Sequence, residues 1–121
     1  MGYFYSVRGW LESNDENYTL LQSFIKANEQ GNVYNDSWSF PPGGGYSRFA
    51  FFGHTVRDVS LSVIRKQIRA IAETIYSLDG EHIDYVEGIF HVDDEDGQHR
   101  FIWQLENGIF TEESIEARPR L

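Results

Sequence analysis

Cysteine is absent from all 121 residues. That excludes disulfides, thiol nucleophiles and thiolate metal sites. No apolar run approaches the roughly 18 residues that a membrane-spanning helix requires. Bases are scarce, with ten Lys and Arg against nineteen acids and a net charge of −9. A chain so short of cations is not built to hold nucleic acid phosphates directly. Nor does it suit an anionic membrane surface. No Gly-x-Ser-x-Gly elbow occurs, and no Lys-Ser or Lys-Thr follows the glycine triplet Gly43-Gly44-Gly45.

What is present points to one folded domain spanning residues 1–121. Hydrophobic residues make up 40% and aromatic residues 16%, enough to bury a core at this length. The start, Met1-Gly2-Tyr3-Phe4-Tyr5, has no basic segment leading into an apolar one, so it reads as a strand and not a signal peptide. A cytoplasmic location is the default expectation. The last residues, 116–121, read as a loosely ordered tail.

The acids are concentrated. From Glu73 to Glu116 there are thirteen of them and one base, Arg100. From Arg48 to Arg69 the balance reverses, with five bases and one acid, Asp58. Such asymmetry favours a basic partner, or serves solubility alone.

Periodicity supplies the elements. Tyr3 to Glu12 predicts a strand, aromatic-rich and free of proline. Ser13 or Asn14 can cap a helix in which Tyr18, Leu21, Phe24 or Ile25, and Asn28 follow helical spacing, with Gly31 as its stop. Val33 to Phe40 and Tyr46 to His54 predict two strands joined through Pro41-Pro42-Gly43-Gly44-Gly45. Thr55 and Asp58 have capping-box-like spacing. A second helix follows, with Ile64, Ile68, Ile71, Ile75 and Leu78 on one stripe and an end at Asp79-Gly80.

The last third predicts a meander. A two-residue turn at Asp96-Gly97 pairs Val92 with Phe101, Phe90 with Trp103 and Gly88 with Leu105 on one face. Asp93 then meets Arg100 and His91 meets Ile102 on the other. A second turn at Asn107-Gly108 pairs Leu105 with Phe110. The resulting order, β-α-β-β-α-β-β-β, predicts an α+β fold. Its core would be ferredoxin-like (β-α-β-β-α-β), with both helices on one face of the sheet and extra C-terminal antiparallel strands.

No constellation of residues reads as catalytic or metal-binding. The glycine triplet opens a strand, whereas a phosphate loop must open a helix. His54, His82, His91 and His99 fall on different strand faces and do not converge as zinc ligands do. The carboxylates at 93–96 read as hydrated, without the burial that separates the pKa values of an acid/base pair. No enzyme activity, cofactor or metal is expected. The candidate site is instead a binding surface. Asp93, Asp94, Glu95 and Asp96 form a negative hairpin tip, joined by Asp84 and Glu87. Trp38 and Tyr46 beside the glycine loop supply aromatic anchors.

Three stretches resemble the small bacterial immunity proteins of polymorphic-toxin and contact-dependent growth inhibition systems. They are Gly9-Trp10, the helix end Ile68 to Ile75, and the run Gly88-Ile89-Phe90-His91-Val92-Asp93-Asp94-Glu95-Asp96 continuing through Trp103 to Asn107-Gly108-Ile109-Phe110-Thr111-Glu112. The resemblance implies a cytoplasmic protein that binds a cognate toxin domain, often a nuclease, and blocks its active site. A basic nuclease cleft would meet an acidic inhibitor. The alternative reading is a homodimeric ligand-binding or regulatory module without enzymatic activity.

Overall fold

A computed structural model of the chain describes residues 3–27, 33–43 and 45–116. It is α+β, with two helices and an antiparallel six-stranded sheet. The elements run β1 (Phe4–Ser13), α1 (Asp15–Ala27), a 3₁₀ turn (Asn35–Ser37), β2 (Trp38–Ser39), β3 (Arg48–Arg57), α2 (Asp58–Thr74), β4 (Tyr76–Asp79), β5 (His82–Tyr85), β6 (Glu87–Asp94), β7 (Arg100–Glu106) and β8 (Ile109–Ile115). The main sheet has the order β2-β3-β1-β6-β7-β8, and β4 and β5 form a separate hairpin.

Alternation along each strand divides the sheet into two faces. Val7, Leu11, Ala50, Phe52, Val56, Phe90, Val92, Trp103 and Leu105 are buried on one, in a single core with Tyr18, Leu21 and Ile25 of α1 and Leu61, Ile64, Ile68 and Ile71 of α2. Both helices therefore pack on the same face, and the opposite face carries no covering layer among the described residues.

Two glycines set how closely β1 and β6 pack. A Cβ on Gly9 would lie 2.1 Å from the Ile89 carbonyl oxygen, and one on Gly88 2.4 Å from that of Trp10. Gly9 pairs with Phe90 and Gly88 with Leu11. Each glycine thus makes room for the large side chain opposite, and backbone atoms block any larger residue there.

The predicted meander register is the observed one, from Gly88–Leu105 through Phe90–Trp103 to Asp93–Arg100, with Leu105 opposite Phe110. Asn107 and Gly108, with φ of 54° and 78°, make the expected two-residue turn. The turn at the other end is longer than predicted. Asp94 N–H donates to the His99 carbonyl and Gly97 N–H to the Asp94 carbonyl. Four residues, Glu95 to Gln98, therefore form the loop. The register survives because the longer loop is centred on the same two residues.

Other expectations need correction. Val33 to Phe40 is not a strand: Tyr34 leads into the 3₁₀ turn, and only Trp38 and Ser39 pair with β3. The buried Asn35 side chain donates to the Ile25 carbonyl and accepts from Gln67. These bonds favour a turn over an extended chain. β3 runs to Arg57, so Thr55 lies in a strand and forms no capping box; Arg57 is the N-cap residue of α2 without a side-chain cap. Asn14, not Ser13, caps α1, its Oδ1 accepting from the Asn17 N–H at 2.8 Å. The α2 stripe holds through Ile71 and Ile75 but stops there. Leu78 lies in β4 and is 65% exposed, because Gly80, at φ 61°, turns a hairpin that pairs Asp79 with His82. Asn28, Gly31 and residues 117–121 fall outside the described residues.

Ile68 and Ile71 are fully buried. Truncating either to Ala should cost about 2–5 kcal/mol in a denaturant titration, cavity term included. Leu78→Ala should change stability by less than about 0.5 kcal/mol, as an exposed hairpin residue.

Candidate functional site

Of the eight residues expected to bind a partner, three are part of the internal structure. Trp38 is buried against Phe52 and Phe90, with ring centroids at 5.2 and 6.1 Å. Its indole N–H donates to Gln67 Oε1 at 3.3 Å. Asp93 and Asp94 are buried as well, on opposite faces of β6. Asp93 and Asp94 are therefore structural residues and not the hydrated tip residues expected.

Asp93 lies on the uncovered face beneath two arginines. Arg8 of β1 donates to Oδ2 at 3.0 Å and Arg100 of β7 to Oδ1 at 3.2 Å. Burial alone would raise its pKa, but the two guanidinium hydrogen bonds and charges outweigh it and hold the carboxyl below the usual range. Asp94 points to the helix side. Its Oδ2 accepts from the Tyr3 hydroxyl at 2.5 Å, from His99 Nδ1 at 2.7 Å and from the His99 N–H at 3.0 Å, while Oδ1 accepts from the Gln98 N–H at 2.8 Å. Here too burial pushes the pKa up and the donors more than reverse it, bringing it to about 2. The same hydrogen bond drives the Tyr3 phenol well above its normal range.

Glu95 and Asp96 remain exposed on the loop, Glu95 accepting from the Phe4 N–H at 3.3 Å. They are far from Asp84 and Glu87. Seven residue steps along β6 separate Glu87 from Asp94, roughly 23 Å of extended chain. The single acidic patch expected from 84 to 96 is therefore two separate places.

The sheet end at Glu87 gathers the rest. Glu12, Asp84 and Glu87 line one shallow cleft of about 250 Å³ with Tyr46 and Tyr85, so three predicted residues come together from distant parts of the chain. Tyr46 is 99% exposed. Glu12 and Glu87 are direct cross-strand neighbours, and Glu106 borders the adjoining hollow beside Trp10 and Gln104. Like charges placed opposite each other destabilise a sheet. Among the described residues no ion pair offsets these three glutamates, whereas Asp15 and Glu112 pair with Arg48 and Arg65.

The β4–β5 hairpin borders this cleft. Asn14 Nδ2 donates to Ser77 Oγ at 3.0 Å and Asn17 Nδ2 to the Asp84 carbonyl at 2.8 Å, tying its inner face to the start of α1. Its outer face carries Tyr76, Leu78, Ile83 and Tyr85, paired Tyr76–Tyr85 and Leu78–Ile83. Leu78 and Ile83 expose 65% and 49% of their surface. Acidic Asp79 and Glu81 sit at the turn. Sequence reasoning missed this hairpin, although Asp79-Gly80 flanked by Tyr-Ser-Leu and Ile-Asp-Tyr carried its signal.

Among the described residues no cluster of three or more His, Asp or Glu is arranged to hold a metal ion. No helix among them is long and apolar enough to cross a membrane. Compared with known proteins, the chain matches no family model, no curated protein and no solved structure.

Asp94→Asn should lower stability at neutral pH by about 1–3 kcal/mol, because the donors that converge on this buried position lose a charged acceptor. The folded pKa lies below the unfolded one, so the stabilisation is complete above the unfolded value near 4. It disappears as pH falls through about 2. Denaturation of wild type and variant should therefore differ most at neutral pH and converge only below about pH 2.

Proposed function

We propose that this chain is an immunity protein that acts by binding, without enzymatic activity of its own. Its partner is a cognate toxin domain with a basic active-site cleft, a nuclease, which it neutralises in the cytoplasm. The observation that carries this reading is the acidic sheet end. Glu12, Asp84 and Glu87 surround Tyr46 and Tyr85 without a paired base among the described residues, beside the apolar outer face of the hairpin. Apolar anchors ringed by one sign of charge suit a protein partner of the opposite sign. A cleft that holds nucleic acid phosphates is both basic and concave. A projecting acidic hairpin is the complementary shape and charge, and it would exclude the substrate by occupying its place.

The sheet order β2-β3-β1-β6, antiparallel throughout, with α1 and α2 on one face, supports the ferredoxin-like reading of the core. β7 and β8 extend it, and β4–β5 is an insertion between α2 and β6. The resemblance to immunity proteins in the Gly88 to Glu112 run agrees with the acidic surface, although the burial of Asp93 and Asp94 moves the contact away from the 93–96 loop.

The reading expects a toxin domain among the products of the neighbouring genes, and the test measures binding of that domain. The triple variant Glu81→Gln, Asp84→Asn, Glu87→Gln should associate roughly tenfold more slowly at low salt, with a flatter dependence on ionic strength. Leu78→Ser with Ile83→Ser should instead speed dissociation. Stopped-flow kinetics read both effects. Unchanged rates and salt slope in both variants would remove the sheet end as the interface.

A further inference from the structure

The uncovered face of the sheet is complementary to itself, and we propose that a second copy of this chain closes it. The two-fold axis would lie between the two sheets and run across their strands. This contact shares Glu12 and Glu87 with the toxin surface proposed above, but it does not depend on that reading.

The face has an apolar centre. Trp10, Phe49 and Phe51 project from it, each about 40% exposed, and Phe49 and Phe51 stack at 6.3 Å. Beside them lies a notch. A Cβ on Gly53 would meet nothing within 4 Å, and the groove above it, about 390 Å³, is walled by Arg8, Trp10, Ser39, Phe51 and His91. The register sets Arg8 beside Gly53 in one row and Trp10 beside Phe51 in the next. A two-fold axis passing between these rows exchanges them. Phe51 then enters the notch at the partner's Gly53, and Trp10 lies against the partner's Arg8 as a cation–π pair. A knob and its hole two residues apart on one strand are what an isologous contact needs.

Charge selects the same axis. On the four central strands, one end of the face carries Arg8, Arg57 and Arg100, with the single carboxylate Asp93 between Arg8 and Arg100. The other end carries Glu12, Glu87 and Glu106, with no base in an ion pair among the described residues. An axis along the strands would set acids on acids. The axis across them sets Arg100 towards the partner's Glu106. The same axis sets Glu87 towards the partner's Asp93, a carboxylate already paired with Arg8 and Arg100, whereas a uniformly basic partner would meet the arginines at one end. The sheet also offers enough area. Six strands about 4.8 Å apart and averaging roughly 23 Å in length give about 650 Å² a side, close to the roughly 800 Å² of a standard interface.

Sedimentation equilibrium of the full, tag-free chain, from low to several hundred micromolar, tests this directly. The expected result is a reversible dimer of the 14.1 kDa chain. Gly53→Lys fills the notch in open space, so circular dichroism and thermal melting of the monomer should match wild type. Its dimer dissociation constant should rise at least about tenfold, as for a blocked interface centre. A wild-type chain that stays monomeric throughout overturns the proposal, as does a dimer that Gly53→Lys leaves intact. A monomer whose open face is covered by the toxin domain instead would also overturn it.

Discussion

Two adjacent buried carboxylates at the end of β6 hold the sheet together where its strands would otherwise splay. Asp93 faces one side and bridges Arg8 of β1 to Arg100 of β7. Asp94 faces the other and gathers Tyr3, His99 and the backbone of the hairpin loop. β6 is the strand that joins β1 to the C-terminal meander. Its two terminal acids thus link the start of the chain, the centre of the sheet and the last third. A buried charge with several donors is costly to strip of one of them. The arrangement is therefore more specific than stabilising: it admits one register of β1, β6 and β7 and penalises a slip by leaving charge unpaired.

A second buried network does the same for the helices. Trp38 donates to Gln67 of α2, Gln67 to Asn35, and Asn35 to the last turn of α1. This path closes the region that follows α1. It also explains why β2 is two residues long: the side chains that could have continued a strand bond across the core. Polar groups buried in this way must all be satisfied together, so the segment has one conformation.

Much of the fold could be read from residue spacing. The meander register followed from turn residues and alternation, since slipping it by one position would expose Phe90 and Trp103. Ile64, Ile68 and Ile71 marked α2 for the same reason, because period alone decides the buried side. Spacing failed where side chains bond over long distances. Asn35 and Gln67 are 32 residues apart, and nothing local distinguishes their region from a strand. Leu78 extended the helical stripe by coincidence of period, and the Gly80 turn overrode it. The candidate site was legible in part: Tyr46, Asp84 and Glu87 do share a cleft, yet Trp10, Glu12 and Glu106 join them only through strand order, which a linear reading does not contain.

Charge was the least transferable signal. Thirteen acids against one base between Glu73 and Glu116 suggest one negative face, but the acids divide by what surrounds them. Asp93 and Glu112 are paired with Arg8, Arg100 and Arg65, and Asp94 is buried under hydrogen-bond donors from Tyr3, Gln98 and His99. Glu12 and Glu87 face each other across two strands with no ion pair to either among the described residues, at some cost to the sheet. An unrelieved repulsion retained beside exposed tyrosines and an apolar hairpin is the feature the fold itself does not require. Folding accounts for Asp93 and Asp94, half of the densest acidic run in the sequence, and gives the sparser acids at the far end of β6 no such structural role.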